Sequence, residues 1–310
     1  MAEQIVIIGY GPVGEAMTRQ LHAAGRRVTV AQRRRPDNLP EGVDYVPCDV
    51  LDRAAVLKAT EAATTVVCAL GMAYSADVWE KNWPAAMDNM LVACESAGAH
   101  FLFIDNLYMY GPQTAPLNEA MPLTGYGRKP KVRAAITRQW QAASRAGRVK
   151  VAALRAPDFY GPAVGLSFLG HATIGAMARG KPAMLITAPD LPHAVAYVPD
   201  IARAAVLLID APDEAYGQAW HVPCAPARTP REILDLAASA LGRPAKVRSM
   251  PGWLIGLIGL FQPFMKEWHE MRFQQQQPFF VDGAKFARRF GFEPTSLEEG
   301  VPRTALSFRA

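Results

Sequence analysis

The feature that most restricts the fold is a glycine-rich turn set between a strand and a helix near the start of the chain. Residues 5–8 (IVII) form an unbroken β-branched run, which is typical of a strand buried on both faces. Residues 9–14 (GYGPVG) follow directly and match GxGxxG, and the apolar pattern after them predicts a helix that Gly25 ends. Residues 28–30 (VTV) predict a second strand. This context favours a turn that binds the pyrophosphate of a dinucleotide.

The residues of this turn have different expected roles. Gly9 permits the tight turn, Gly11 lets a pyrophosphate approach the backbone, and Gly14 lets the helix pack closely against the strand. Pro12 and Val13 stand at the start of the helix, where the positive end of the helix dipole attracts phosphate. We therefore expect all five residues to contact the cofactor.

The end of the second strand bears on cofactor preference. Dinucleotide-binding folds that prefer NAD place an Asp or Glu there for the ribose 2′-hydroxyl, whereas a 2′-phosphate is bound by arginine. The sequence reads Gln32, Arg33, Arg34 and Arg35, without a carboxylate. The forked guanidinium group suits a phosphate. We expect Gln32, Arg33 and Arg34 to favour NADP(H) over NAD(H); the alternative is a solvated basic turn.

Strands and helices continue to alternate after this point, which predicts a doubly wound parallel sheet of the Rossmann type, an α/β fold. The further predicted strands and helices are residues 46–50, 53–62, 65–71, 82–97 and 101–105. Ligands of such sheets bind at the carboxyl ends of the strands. Four residues at these ends are therefore further candidates for cofactor contacts: Asp49, Val50, Leu70 and Gly71.

Three later segments resemble one known family. Residues 105–111 (DNLYMYG) are similar to its SSxxVYG segment, residues 154–162 (LRAPDFYGP) to its LRxxNxYGP segment, and residues 196–202 (AYVPDIA) to its VHVDDxA segment. The family is that of the extended short-chain dehydrogenases/reductases, the NAD-dependent epimerase/dehydratase group. The resemblance implies that Asp49 contacts the adenine, and we place Phe159 among the cofactor-binding candidates.

The resemblance also implies a division into two domains. We expect a dinucleotide-binding domain over residues 1–165 and a smaller, mostly helical substrate lobe over residues 166–310. Segments near residues 195–225 are expected to return to the first domain.

The catalytic positions depart from the family pattern. The family uses Ser or Thr to steady the substrate oxygen, Tyr as general acid/base, and a Lys four residues later that lowers the pKa of the phenol and holds the ribose. By register the Ser position is Asn106, whose amide can donate a hydrogen bond but cannot relay a proton. The candidate tyrosine is Tyr126, and Tyr108 and Tyr110 are substitute phenols.

A proline occupies the position of the family lysine. Pro130 stands four residues after Tyr126, so the helix is expected to start at Pro130 and to leave Tyr126 on the preceding loop. Lys131 would lie in the first helical turn and Lys129 just outside it. We expect one of these lysines, Lys131 in preference, to reach the ribose. The alternative is that both are solvated and that the dyad is lost.

Composition excludes several classes of protein. The net charge of +5 comes without a basic stripe of interleaved aromatics, so no nucleic-acid partner is expected. The four cysteines have no CxxC pairing and the histidines no metal-ligand spacing. The longest apolar run, residues 253–261, is too short to span a bilayer, and the residues before the first strand lead us to expect no signal peptide. We expect a cytoplasmic monomer or homodimer without a metal or membrane partner.

The C-terminal lobe suggests the kind of substrate. Residues 251–265 contain no charged side chain and carry Trp253 among several residues on one helical face. This face, with Trp268 or Met271, would select a compact apolar or aromatic substrate; the alternative is that it only packs into the lobe. His193 is interpreted as a surface or hydrogen-bonded core residue.

These observations predict an NADP(H)-dependent oxidoreductase that transfers hydride to or from a carbonyl or alcohol carbon of a small molecule. Two alternatives stay open. One is an epimerase or dehydratase that oxidises and reduces its nicotinamide within one turnover. The other is a catalytically silent NADP(H)-binding sensor.

Overall fold

A computed structural model describes residues 3–162, 164–186, 188–249 and 263–309. The chain divides into two compact units. The first comprises Met1–Gly111, Pro122–Arg155 and Ile201–Trp220, and the second comprises Pro112–Met121, Ala156–Asp200 and His221–Ala310. Residues 156–165, which the sequence assigns to the first domain, lie in the second unit. No helix in the described ranges is both long and apolar enough to cross a membrane.

The strands of the described residues are short and mostly buried. In chain order they are β1 (Ile5–Ile8), β2 (Val28–Gln32), β3 (Asp44–Pro47), β4 (Thr65–Cys68), β5 (His100–Asp105), β6 (Val151–Arg155), β7 (Phe159–Tyr160), β8 (Ala183–Leu185), β9 (Ala196–Tyr197), β10 (Gln218–His221) and β11 (Val247–Ser249).

The helices of the described residues are numbered in the same way. They are α1 (Pro12–Ala23), α2 (Arg53–Thr60), α3 (Ala76–Ala97), α4 (Lys129–Arg145), α5 (Ile174–Ala178), α6 (Val198–Ile209), α7 (Pro230–Leu241), α8 (Pro263–Met271), α9 (Ala284–Phe290) and α10 (Leu297–Ser307). Short 3-10 helices cover Tyr108–Tyr110, Asp213–Ala215 and Arg272–Gln275.

The first unit is built on a seven-stranded sheet in the order β10-β6-β5-β4-β1-β2-β3. The pairs β1–β2, β1–β4, β2–β3, β4–β5 and β5–β6 are all parallel. The strand order reverses direction at β1, as in a doubly wound sheet. The predicted Rossmann-type fold is therefore confirmed, and the carboxyl ends of β1, β2, β4 and β5 lie at one edge of the sheet.

Three predicted boundaries differ from the structure. The third strand ends at Pro47 and not at Val50: the Cys48 N–H still donates to the carbonyl oxygen of Gln32, and the chain then enters a turn at Val50. Helix α3 begins at Ala76 and runs through Pro84, whereas the sequence predicted a start at residue 82. Helix α4 begins at Lys129, one residue before the predicted start, so Pro130 is its second residue.

The second unit has two small parallel sheets, one of β8 with β11 and one of β7 with β9. Helix α7 carries the capping box that its sequence predicts: the Thr229 side chain accepts from the Glu232 N–H, and the Glu232 side chain accepts from the Thr229 N–H. Gly242 ends this helix in the left-handed region with φ 65°.

Candidate dinucleotide and active site

Two glycines of the turn after β1 are required by packing. Gly9 has φ +99°, and a Cβ there would lie 2.9 Å from the carbonyl oxygen of Ala69 and from the Cα of Leu70. A Cβ on Gly14 would lie 2.2 Å from the carbonyl oxygen of Gly9. The turn, the start of α1 and the loop after β4 therefore approach one another more closely than any other residue type allows.

The third glycine borders open space. Gly11 is exposed and in extended geometry, and a Cβ there would meet nothing within 4 Å. It is the N-cap of α1, where no side chain accepts a hydrogen bond from the first turn, and Pro12 and the buried Val13 follow it. Open space beside uncapped N–H groups at a helix N-terminus fits a bound phosphate. The residues present therefore fit the pyrophosphate of a dinucleotide.

Gln32 joins the glycine turn to the basic turn at the end of β2. Its Oε1 accepts from the N–H of Tyr10 at 3.0 Å, and its Nε2 donates to the carbonyl oxygen of Arg34 at 2.7 Å. Arg33 and Arg34 are exposed, and neither guanidinium group has a hydrogen bond or ion pair with another described residue. Two guanidinium groups are thus available at the place where an Asp or Glu would contact a ribose 2′-hydroxyl.

The strand-end candidates differ in accessibility. Asp49 is exposed, and its Oδ1 accepts from the N–H of Leu51 at 3.0 Å. Val50 is buried, and its carbonyl oxygen accepts from Asn89 at 3.0 Å. Leu70 is half-buried and Gly71 exposed in the loop against Gly9. The loop after β4 thus reaches the glycine turn, whereas the Val50 side chain belongs to the core.

Asn106 follows the last residue of β5 in a fixed turn. Its Oδ1 accepts from the N–H of Tyr108 at 3.0 Å, and its own N–H donates to Asp105 Oδ1 at 2.8 Å. The amide nitrogen of its half-buried side chain has no acceptor within the described part of the chain. This amide can therefore donate a hydrogen bond to a ligand oxygen.

The two candidate lysines lie in different environments. Lys129 is fully buried, and its Nζ lies 5.0 Å from the centroid of the Tyr74 ring. Lys131 is exposed. The expected preference for Lys131 rested on a helix start at Pro130, but Lys129 itself is the first residue of α4. Lys129 is thus the lysine held inside the first unit.

The candidate tyrosines are equally distinct. Tyr126 is 44% exposed on the loop before α4, as the sequence predicted, and its N–H donates to Thr124 Oγ1 at 2.9 Å. Tyr110 is buried, and its hydroxyl accepts from Arg155 Nη1 at 2.6 Å. Tyr108 is half-buried and stacks on Trp79 with ring centroids 6.0 Å apart. Tyr126 is the most accessible of these three phenols.

A buried ionic cluster underlies the end of β5, and sequence reasoning missed it. Asp105 Oδ1 lies 3.0 Å from Arg133 Nη1, and Asp105 Oδ2 lies 3.8 Å from Arg155 Nε. Burial raises the pKa of Asp105, while both guanidinium groups oppose that change. The charged side chains of Asp105 on β5, Arg155 on β6 and Arg133 on α4 thus form a cluster that is buried from solvent. Asp105 and Arg155 lie opposite each other on the paired strands β5 and β6, so a prediction of the strand register could have indicated their contact.

A second missed feature is a group of aromatic side chains beside this cluster. The guanidinium carbon of Arg133 lies 4.6 Å from the ring centroid of Trp79 and 4.1 Å from that of Trp83. Trp79 also contacts the ring of Tyr74 edge to face at 5.8 Å. The signal for it was the pair of tryptophans four residues apart, which share one face of α3. We call Tyr74, Trp79 and Tyr108 the aromatic cluster.

The second unit holds the remaining candidates. Phe159 lies in β7 and is 36% exposed. His193 is buried, as one of its two interpretations predicted; its Nε2 lies 2.9 Å from Asp158 Oδ2, and its ring stacks on Phe279 at 4.8 Å. Met271 is buried as well. Trp253 lies outside the described residues, as does the backbone of residues 250–262 and the side-chain surroundings of residues 263–266.

The glycine turn on a parallel sheet defines the class: a Rossmann-type nucleotide-binding fold with an added second unit. The chain belongs to the NAD dependent epimerase/dehydratase family, whose sequence model matches residues 5–222. The resemblance stated from its motifs is therefore confirmed. Comparison with curated protein sequences gives no match.

Solved structures of the same fold extend over nearly the whole chain. The UDP-glucose 4-epimerase of Thermus thermophilus, in complex with NAD, is 21% identical with a TM-score of 0.77 and covers 99% of both chains. The UDP-glucuronic acid 4-epimerase of Bacillus cereus, also with NAD, is 14% identical with a TM-score of 0.80, covering 99% of this chain and 98% of its own. A putative epimerase of Burkholderia cenocepacia is 20% identical with a TM-score of 0.79 and the same coverage.

Proposed function

We propose that the protein binds a nicotinamide dinucleotide at the glycine turn and catalyses oxidation and reduction at an alcohol or carbonyl carbon of a small molecule. The proposal depends on one observation: the candidate site residues all follow the carboxyl ends of neighbouring strands in the sheet. The turn after β1, the loop after β4 and Asn106 after β5 all leave neighbouring parallel strands at their carboxyl ends. Membership of the NAD dependent epimerase/dehydratase family supports the same chemistry.

The dinucleotide would be held by Gly9, Gly11 and Gly14 through its pyrophosphate, and by Asp49 at its adenine end. When bound, its nicotinamide accepts or donates hydride. Arg33 and Arg34 would pair with a 2′-phosphate, because both are exposed and without a carboxylate partner among the described residues. We therefore propose a preference for NADP(H), although the named neighbours from Thermus and Bacillus contain NAD.

Two side chains would act on the substrate oxygen, and a third would act on the phenol. The Tyr126 hydroxyl donates a proton to that oxygen during reduction and its phenolate accepts one during oxidation. The Asn106 amide donates a hydrogen bond to the same oxygen and so stabilises its developing negative charge. The Lys129 ammonium, fully buried beside Tyr74, would stabilise negative charge on the phenol oxygen through its electrostatic field.

The comparisons support an epimerase or dehydratase that recycles its nicotinamide more than they support a reductase specific for NADP(H). The family is named for this chemistry, and two neighbours are sugar-nucleotide epimerases. A reductase that consumes external NADPH is the second candidate, which the basic turn of Arg33 and Arg34 favours. The aromatic cluster offers apolar ring surface close to Asn106, which favours a compact apolar or aromatic substrate for either reaction.

One experiment separates these functions. The purified protein is incubated with each nicotinamide cofactor and with two substrate panels, one of nucleotide sugars and one of aromatic and alicyclic alcohols and ketones. Conversion is followed by NMR, and the cofactor by the absorbance of reduced nicotinamide. Conversion without net cofactor change identifies an epimerase or dehydratase, and equimolar NADPH oxidation identifies a reductase. Tight cofactor binding without conversion in either panel identifies a sensor and contradicts the catalytic proposal.

A further inference from the structure

The position of Lys129 is costly for an ammonium group. Its side chain is fully buried, so the charge has lost its hydration. It is also the first residue of α4, where the positive end of the helix dipole repels a cation. Such a lysine stays in place only if surrounding groups stabilise its charge.

An aromatic ring provides one such contact. Lys129 Nζ lies 5.0 Å from the centroid of the Tyr74 ring, within the range in which a cation is attracted to the negative face of an aromatic ring. Tyr74 belongs to the loop between β4 and α3, the same loop whose Ala69 and Leu70 pack against Gly9. The lysine and the glycine turn are thus connected through one loop.

The ring of Tyr74 is itself held in orientation. Trp79 meets it edge to face at an interplanar angle of 86°, and the Trp79 indole N–H donates to the carbonyl oxygen of Ala73 at 2.9 Å. On its other side Trp79 stacks on Tyr108, whose N–H donates to Asn106 Oδ1. The aromatic cluster therefore links Lys129 to Asn106.

This arrangement replaces a relationship that the sequence has lost. A tyrosine and a lysine four residues apart share one helical face, but here the lysine is three residues after Tyr126 and Pro130 occupies the fourth place. We propose that Tyr74 is a positioning residue, whose ring face holds the Lys129 ammonium where its charge acts on the phenol. The inference rests on the role of Lys129 in the proposed function.

Two substitutions of Tyr74 test the ring directly. Tyr74→Phe keeps the aromatic face, whereas Tyr74→Leu keeps apolar volume without it. We expect Tyr74→Leu to lower kcat by about tenfold with cofactor affinity nearly unchanged, and Tyr74→Phe to restore most of kcat.

A thermodynamic cycle tests the contact without using activity. Melting temperatures are compared for wild type, Tyr74→Leu, Lys129→Met and the double variant. The decrease in melting temperature caused by Tyr74→Leu should be smaller in the Lys129→Met background than in the wild-type background. Should Tyr74→Leu not fold, phenylalanines of increasing fluorination at position 74 replace it, since fluorine weakens the negative face while keeping the ring.

The outcomes separate the inference from the function on which it rests. If Lys129→Met retains full turnover, the proposed role of Lys129 fails whatever Tyr74 does. If Lys129→Met is impaired but Tyr74→Leu behaves as wild type, or loses the same stability in both lysine backgrounds, the positioning role of Tyr74 is wrong.

Discussion

The Asp105 carboxylate and the Arg133 guanidinium lie 3.0 Å apart with their side chains almost completely buried, and the same carboxylate oxygen accepts the N–H of Asn106. One buried ion pair thus fixes α4, which carries Lys129, to the turn that carries Asn106. Removing Arg133 leaves the buried Asp105 carboxylate with only the more distant Arg155 guanidinium, and removing Asp105 leaves two buried guanidinium groups without their carboxylate.

We therefore expect Arg133→Met to lower the free energy of unfolding by about 3–5 kcal/mol. The double variant Asp105→Asn/Arg133→Met should lose less than the sum of the two single variants, because Asp105→Asn alone leaves two buried guanidinium groups without their carboxylate and the double variant leaves one. Urea unfolding measures these values. Arg138→Met, at an exposed position of the same helix, is the matched control and should change little. An Arg133→Met protein as stable as the control would show that the pair is unimportant.

The basic turn predicts cofactor preference. NADPH should bind more tightly than NADH, and Arg33→Ala/Arg34→Ala should remove the difference, since charge-assisted bonds to a phosphate are worth about ten- to a hundredfold in affinity. Titration of both cofactors measures it. Arg27→Ala, an exposed arginine at the opposite end of β2, is the control and should leave the preference intact. Equal affinities in the wild-type protein would contradict the assignment.

Tyr126 gives a kinetic prediction. Tyr126→Phe should lower turnover by about 10²–10⁴-fold, the usual loss when a general acid/base is removed, while cofactor affinity and melting temperature stay unchanged. Steady-state kinetics and cofactor titration are compared on the same preparation. Full activity in this variant would show that Tyr126 is not the proton donor, and Tyr108 or a water molecule held by Asn106 would then be the candidate for that role.

His100 predicts how stability depends on pH. Its imidazole lies 4.5 Å from the Tyr216 ring and 3.1 Å from Asp213, and its pKa is lowered, chiefly by burial and against the pull of Asp213. A lowered pKa means that the folded state favours the neutral ring, so its stabilising contribution is present above about pH 6.5 and is lost as the pH falls. The melting temperature should therefore fall less between neutral pH and about pH 5 in His100→Gln than in wild type. If the melting temperatures of the two proteins fall equally with pH, His100 is not a cause of the pH dependence of stability.

The sequence predicted the parts of the molecule that depend on local pattern. The strand before Gly9, the open turn at Gly11 and the loop position of Tyr126 follow from β-branched runs, glycine spacing and a proline, all of which act over a few residues. The same local rules explain the capped helix that begins at Pro230, with Thr229 at its N-cap and Glu232 at its third position.

The missed features depend on contacts between distant parts of the chain. Asp105 and Arg133 are 28 residues apart, and no spacing rule indicates that they meet. The choice between Lys129 and Lys131 depended on where α4 begins, and the predicted start was wrong by one residue. In the structure Lys129 faces the interior, whereas the prediction preferred Lys131. A helix boundary of that accuracy is set by tertiary packing rather than by propensity.

The most direct test of the central claim is the affinity of Gly11→Ala for nicotinamide dinucleotides, measured beside its melting temperature. A Cβ at position 11 meets no protein atom within 4 Å, so the fold should be unaffected, yet that Cβ would occupy the space proposed for the pyrophosphate. We predict that the wild-type protein binds NADPH or NADH and that Gly11→Ala binds it at least about tenfold more weakly at an unchanged melting temperature. Equal affinity of the two proteins, or no binding by the wild type, would contradict a dinucleotide site at this turn.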